Sequence, residues 1–366
     1  MSQNTQTTTQ TDKKPVPRLK LFGNLLTEVV KKNLCVGCGA CAAVCPVNVV
    51  EMTNVSGKDQ QPTLTGKCIL CEICYYQCPA IEPLPELGEI FGREKNENES
   101  FGVMIGCYSA KAKKEEIIKV AQDGGIVTGL LAYGLQADLL DSAVVSGVDD
   151  AEPWKAVPKV ATSFNELLEH AGTRYTTSPT LMGLWHAVEG SFKEKVAVVG
   201  TPCQIKATRK MQKTPKAALR YGSKTVLTVG LLCMESFYHD TLIKEYLKEK
   251  TDLSKISRCN IRKGKFIVDS GGQRVIDVPL SEVKQYARDN CHSCTDFTAE
   301  LADISVGSVG SPEGWSTVII RTDTGKKIFD GATEAGFIEY KPIEEVKPGI
   351  ISVEKLSKIK KERCPT

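Results

Sequence analysis

Two stretches of this 366-residue chain repeat one arrangement of cysteine. Cys35-Val-Gly-Cys38-Gly-Ala-Cys41-Ala-Ala-Val-Cys45-Pro46 and Cys68-Ile-Leu-Cys71-Glu-Ile-Cys74-Tyr-Tyr-Gln-Cys78-Pro79 both read C-x2-C-x2-C-x3-C-P. That spacing suits cubane 4Fe-4S clusters: three thiolates wrap one corner, and the fourth, stopped by proline, ligates the neighbouring cluster. One cluster then takes Cys35, Cys38, Cys41 and Cys78, and the other takes Cys68, Cys71, Cys74 and Cys45. Zinc sites pair two C-x2-C units across a long gap, so neither zinc nor disulfides account for this pattern. The chemistry it predicts is one-electron transfer.

Further cysteines stand outside the repeat. Cys291-His-Ser-Cys294 is a C-x2-C pair, Cys203 lies where the apolar run KVAVVG turns into a helix, and Cys233 closes the run TVLTVGLLC. A helix N-terminus stabilises a thiolate or a cluster sulfide, and parallel strands would bring two strand ends to one edge. Two readings stay open here. Either Cys203, Cys233, Cys291 and Cys294 hold a third 4Fe-4S cluster, or the first two are small buried hydrophobes and the pair binds zinc. Cys259 is an alternative to Cys233; Cys107 and Cys364 have no partner spacing. Glycine-rich stretches at Asp123-Gly124-Gly125, Ala171-Gly172-Thr173-Arg174-Tyr175 and Gly307 to Trp315 would bring N–H donors near an anionic ligand. No dinucleotide fingerprint follows a strand and no phosphate loop is present, which argues against a Rossmann nicotinamide site. Lys195 to Met234 carries no acidic residue, and its one-signed charge hints at a polyanionic ligand or partner.

The bulk numbers set limits. A net charge of +3 does not suggest a nucleic-acid binder. Fifteen cysteines without a signal-peptide pattern point to a reduced, cytoplasmic setting. The longest apolar runs fall short of a membrane span, so membrane association would come only through a partner.

The elements that must position these residues alternate in type. A polar tail expected to be disordered (1–24) precedes a ferredoxin-like unit (25–92), a charged linker (93–100), a large domain (101–345) and a C-terminal tail (346–366). The large domain reads as helices at Lys113 to Gln122, Ile126 to Gln136, Asn165 to His170, from Thr201-Pro202, Asp240 to Lys250 and Lys326 to Ala335. Strands are expected at Ser142 to Val148, Lys195 to Gly200, Lys224 to Leu232, Ser316 to Arg321 and Phe337 to Tyr340, with a hairpin over Phe266 to Val278. This is an α/β or α+β fold with mixed strand directions.

Five motifs in combination resemble the β subunit of coenzyme F420 hydrogenase and its dehydrogenase relatives, over about Phe101 to Tyr340. They are Gln122-Asp-Gly-Gly-Ile-Val-Thr128, Ala171-Gly-Thr-Arg-Tyr175, Val199-Gly-Thr-Pro-Cys-Gln204, Gly230-Leu-Leu-Cys233 and Cys291-His-Ser-Cys-Thr-Asp-Phe-Thr-Ala-Glu-Leu-Ala-Asp-Ile-Ser-Val-Gly307. With the ferredoxin-like front the chain is similar to the electron-input subunits of archaeal F420H2 dehydrogenase complexes. The resemblance implies a non-Rossmann FAD site, a third 4Fe-4S cluster at Cys203, Cys233, Cys291 and Cys294, and coenzyme F420 as substrate. FAD would stand between a hydride-only coenzyme and one-electron clusters. A dehydrogenase complex or ferredoxin would be the redox partner, with flow in either direction. Gly124, Gly125, Thr128, Thr173, Arg174, Tyr175, Thr201, Pro202 and Gln204 are implied FAD contacts. Lys206, Arg209 and Lys210 are expected at the coenzyme's phosphate and glutamate tail. Related possibilities are the β subunit of an F420-reducing formate dehydrogenase, a reductase of another ring, or an electron-transfer subunit without flavin.

Overall fold

The computed structural model describes residues 19–97 and 99–363; Cys364 and the expected tail as far as residue 18 lie outside them, while residues 19–24, expected to belong to that tail, lead into the helix Phe22–Leu25 and bury Phe22. The front unit is built twice from one design. Each motif ends in a single helical turn, Ala40–Ala43 and Ile73–Tyr76, and a hairpin of β1 (Val50–Val55) and β2 (Lys58–Leu64) joins them. The backbone is left-handed at Gly37 and Gly39, and again at the equivalent Leu70 and Glu72. A Cβ on Gly37 would meet Arg288 and Thr177 at 3.0 Å, and one on Gly39 would meet Met182 at 3.0 Å, so the first motif requires glycine there. Leu70 is 55 % exposed, so the second motif tolerates a side chain. The first motif is therefore the inner one.

The large domain is organised by an eight-stranded sheet. Its strands are β3 (Gly106–Ala112), β4 (Ser142–Val148), β5 (Ala156–Ala161), β6 (Val196–Gly200), β7 (Thr225–Leu231), β11 (Ile304–Gly307), β12 (Ser316–Ile320) and β13 (Ile338–Pro342), in the order β13-β3-β12-β11-β7-β6-β4-β5. Neighbours among β4, β6, β7 and β11 run parallel, and the flanking pairs run antiparallel. Such a centre is covered on both faces, which is why β6 is apolar throughout. Ala197 and Val199 pack against α1 (Ile126–Gln136) and α3 (Asp323–Glu334). The alternate residues Val196 and Val198 pack against α2 (Pro202–Lys213), the helix Thr180–Trp185 and the inner cysteine motif. A second sheet of β8 (Ile256–Arg262), β9 (Lys265–Ser270) and β10 (Gln273–Pro279) is covered by the helical stretch Asp240–Leu247.

The front unit is bolted to the large domain through polar contacts. Lys210 Nζ donates to the carbonyl oxygens of Cys78 and Ile81, Tyr221 Oη to that of Ala43 (2.9 Å), and the Leu181 N–H to that of Cys38 (2.9 Å). Arg288, 1 % exposed, donates to the Asp59 carbonyl oxygen at 2.9 Å, and Lys58 pairs with Asp289 at 2.6 Å.

Several segments differ from expectation. The stretch 346–366 carries a helix, α4 (Ile350–Glu362), that buries Val353, Ser357 and Lys360. Its apolar contacts with Phe101, Phe297 and Ile319 hold it against the large domain, and its cationic surface concealed that role in the sequence. The linker is pinned: Arg93 pairs with buried Glu99 at 2.5 Å. Strand β3, the edge strand β5 and strand β8 had no clear alternation of their own.

Two stability predictions follow from the packing. Asp303 accepts from the Thr228 N–H and hydroxyl and pairs with buried Arg209 at 2.9 Å. Asp303→Ala strands that guanidinium and should cost about 3–5 kcal/mol in denaturant unfolding, and Asp303→Asn less. Glu99 is held at about 2, below 4.5, by the Arg93 side chain first, burial opposing, then by the N–H groups of Asn96 and Met104. A depressed carboxylate stabilises the fold above its unfolded value and loses that contribution as pH falls through the folded one. Glu99→Gln should therefore lower stability at neutral pH, with the gap to wild type closing between about 4.5 and about 2; a pH-independent gap would exclude this origin.

Candidate functional site

Cys203, Cys233, Cys291 and Cys294 come from three separate segments and meet. Cys203 sits in the first turn of α2, and Cys233 just past β7. Because β6 and β7 are parallel neighbours, both thiols emerge at the same sheet edge. The short helical turn Asp289–Ser293 delivers the C-x2-C pair to that edge, where the Cys233 N–H donates to the Phe297 carbonyl oxygen at 2.9 Å. The four cysteines line one cavity of about 340 Å³, counting solvent at its mouth. Buried Arg288 and Lys360 line it too. Among the described residues no three His, Cys, Asp or Glu close on a single ion-sized point. Thr201 Oγ1 lies 3.3 Å from the Cys203 sulfur, and the Ser236 N–H donates to Cys291 Sγ at 3.4 Å. Burial pushes the Cys291 thiol up to about 11, the Ser236 contact opposes it, and the Cys203 charge adds to it.

The repeat cysteines fall into two further groups. Cys45, Cys68, Cys71 and Cys74 line a second cavity, of about 370 Å³, with Phe22, Val50 and Leu64 on its apolar wall. The Cys74 thiol is pushed up to about 12 by burial, then by the charges of Cys71, Cys68 and Cys45. Burial raises Cys38 well above its usual range, the Ala40 N–H opposes it, and Cys78, Cys35 and Cys203 add to it. Cys45 thus stands beside Cys68, Cys71 and Cys74, and Cys78 beside Cys35 and Cys38. The Cys203 charge also reaches Cys38, so the inner group adjoins the four-cysteine cavity.

The remaining expected contacts divide. Cys259 lies on β8 beside Arg174, 3 % exposed, outside the cavity, so it does not take the place of Cys233. Cys107 is buried on β3 in the core. Gly124 and Gly125 pack closely: a Cβ would come within 2.6 Å of the Ala110 carbonyl oxygen or 2.7 Å of Ile117. They nevertheless leave α1, with Thr128 half-buried, entered without a side-chain cap. The loops at 122–125 and 172–175 meet across β8, where Gln122 Nε2 donates to the Cys259 carbonyl oxygen at 3.1 Å and the Ile261 N–H to Tyr175 Oη at 2.9 Å. Arg174 donates from Nη1 to the Ala171 carbonyl oxygen at 2.5 Å, and its buried Nε has no partner among the described residues. Thr173 is half-buried in that same loop. Pro202 is buried at the start of α2, and Gln204 is consumed by the fold, accepting from the Thr201 N–H at 2.8 Å and donating to the Ser178 carbonyl oxygen at 2.7 Å.

The expected role of the basic stretch requires correction. Arg209 is buried against Asp303, and Lys210 is buried on carbonyl oxygens of the front unit. Both charges are already engaged, so the coenzyme is not assigned to them. Arg220 pairs with Glu189, Lys195 with Asp138 and Lys213 with Glu89. Counter-charges from distant segments neutralise a run that looks one-signed in sequence. Lys206 alone of the three expected coenzyme contacts is half-buried rather than buried.

The fold and thiol groups define a mixed α/β redox protein fronted by a dicluster unit. Residues 107–184 and 193–346 match the N-terminal and C-terminal parts of "Coenzyme F420 hydrogenase/dehydrogenase, beta subunit", and 34–82 match the 4Fe-4S dicluster domain. The coenzyme F420 hydrogenase subunit beta of Methanothermobacter thermautotrophicus is 46% identical over 72% of this chain and 94% of its own length. A subunit of the F(420)H(2) dehydrogenase of Methanosarcina mazei is 34% identical over 92% of both. A chain of the F420-reducing [NiFe] hydrogenase complex from Methanosarcina barkeri superposes with a TM-score of 0.70, at 40% identity, over 74% of this chain and 92% of that one. This chain belongs to the coenzyme F420 hydrogenase/dehydrogenase beta subunit family.

The thiol grouping predicts which variants share a defect. Cys78→Ala should abolish the same cluster signal as Cys35→Ala, and Cys45→Ala the same as Cys68→Ala, in electron paramagnetic resonance of anaerobically purified protein. Cys78→Ala behaving like Cys68→Ala would reverse the grouping.

Proposed function

We propose that the chain oxidises reduced coenzyme F420 at a bound FAD and passes the electrons through three 4Fe-4S clusters to a partner complex or ferredoxin, reversibly. The observation that carries this reading is the convergence of Cys203, Cys233, Cys291 and Cys294 on one buried cavity beside the inner cysteine group. Four thiols from three segments lining one cavity are the ligand number and type that a 4Fe-4S cluster takes. When bound, FAD would supply hydride acceptance and one-electron release, which neither thiols nor clusters provide.

The chain's own residues divide the work. Arg174 fits an anionic cofactor: it is a largely buried guanidinium with an unpartnered Nε and no carboxylate partner among the described residues. The neighbouring Gly124, Gly125 and Thr128 place the uncapped N-terminus of α1 in the adjoining loop, a second source of donors for phosphate oxygens. Thr173 and Tyr175 fix the Arg174 loop, Tyr175 through its bond to Ile261. Thr201 orients Cys203 through its hydroxyl and caps α2. Lys206 is the cation left for the coenzyme's anionic tail. Among the described residues no helix is long and apolar enough to cross a membrane, so a membrane-bound partner complex would hold the chain there.

Anaerobic purification with metal, flavin and activity measured on one sample tests the reading. Wild type should carry about 12 iron atoms, four for each cluster, retain FAD, and reduce viologen with reduced F420. Cys291→Ala should lose about four iron atoms. Arg174→Gln should weaken FAD retention about 10- to 100-fold, the loss of charge-assisted hydrogen bonding. Protein with neither flavin nor F420 oxidation would leave an electron-transfer subunit as the remaining function.

A further inference from the structure

Lys360 is a lysine in an unexpected place. It belongs to α4, beyond residue 346 where the family match ends. It is 1 % exposed and lines the four-cysteine cavity. Its ammonium donates to the Cys233 carbonyl oxygen, and among the described residues no carboxylate lies within ion-pairing distance of it. The charges that reach it are those of Cys233, Cys294, Cys291 and Cys203. Asp296 also senses Lys360, from beyond ion-pair range.

An isolated buried ammonium is costly, and a hydrogen bond to one carbonyl compensates little of that cost. The same helix is fixed by other means: Val353 and Ser357 are buried, Lys361 pairs with Glu300 at 2.8 Å, and Arg363 approaches Glu235 at 3.6 Å. Docking of α4 therefore does not rest on Lys360 alone, and its charge stands at the wall of the four-cysteine cavity.

We propose that Lys360 raises the reduction potential of the cluster held by Cys203, Cys233, Cys291 and Cys294, making α4 a tuning element for electron entry. The inference rests on the cluster reading of that cavity. Reduction would add one negative charge to the cluster that these four thiolates hold. A fixed cation shielded from solvent stabilises the reduced form more than the oxidised one, with little screening by salt. Lys360 touches only the backbone of one ligand residue, so it acts through the field it sets and through the placement of Cys233.

The test is a reductive titration of the full-length, anaerobically purified protein followed by electron paramagnetic resonance. The signal missing from Cys291→Ala identifies the four-cysteine cluster. Lys360→Met should make the one-electron equilibrium of that signal at least tenfold less favourable to reduction, about 59 mV lower. Iron and flavin contents should be unchanged, and the other two signals should stay in place. Lys360→Arg should keep the midpoint within about threefold of wild type, since it keeps the charge. An unchanged midpoint in Lys360→Met overturns the proposal. So does an equal fall in Lys360→Arg, because charge would then not be the cause. Loss of that cluster's iron from both Lys360→Met and Lys360→Gln also overturns it, assigning Lys360 to assembly. If Cys291→Ala loses no iron and no signal, the cluster reading itself fails and the inference falls with it.

Discussion

Burying thiols sets the terms for this protein. A thiolate out of water is penalised, so a fold that gathers twelve cysteines into three groups must supply positive charge or lose the ligand form. Burial first, and the charges of neighbouring cysteines after it, drive Cys38 and Cys41 well above the ordinary thiol range. The backbone contributes N–H donors at Ala40 and Ser236, and side chains contribute cations at Arg288 and Lys360. What these leave uncompensated in the dicluster unit falls to its 4Fe-4S clusters, and the proposed third cluster would play the same part at the four-cysteine cavity. The left-handed turns at Gly37, Gly39, Leu70 and Glu72 serve the same end, curling the chain so that three thiols face inward.

That constraint explains the two-part construction. A dicluster unit alone would be small, with its cysteines near water on several sides. Here its inner motif packs against the helix Thr180–Trp185, which lies with α2 on the sheet face formed by Val196 and Val198. Lys210, Tyr221 and Arg288, charged or polar residues of the large domain, are spent on its carbonyl oxygens. These contacts are what removed Lys210 from the set of coenzyme ligands. Arg209 left it for the same kind of reason, being the counter-charge that lets Asp303 knit β7 to the strand end before β11.

Legibility in the sequence tracked the locality of the interaction. The eight cysteines of the repeat, the strand-to-helix turn at Cys203 and the buried strand KVAVVG were readable because spacing within a dozen residues determines them. The mixed sheet and the family followed from motifs of the same range. What escaped depended on distant partners. The run from Lys195 to Met234 looks like a polyanion surface until Asp138, Glu89 and Glu189 arrive from other segments. The stretch after 345 looks like a solvated tail because Lys and Arg recur through it, although Lys360 is among the most buried side chains of the chain. Strand β3 and the edge strand β5 owe their extended form to pairing with β12, β13 and β4 rather than to their own pattern.

The asymmetry between the two copies of the cysteine motif gives the proposed electron path its order. Both copies need the same left-handed backbone, yet only the first is forced to glycine, because Arg288, Thr177 and Met182 crowd it. Crowding is the imprint of contact with the large domain. The second copy carries Leu70 and Glu72 at the same positions, with Ile69 and Leu70 exposed beside the cavity of Cys45, Cys68, Cys71 and Cys74. The thiol group nearest Cys203 is therefore the inner one, and the group farther along faces outward. A path that enters at the four-cysteine cavity passes the inner group first and ends where apolar side chains reach the surface. A sequence repeat that reads as two equal halves is, in the folded chain, an inside and an outside.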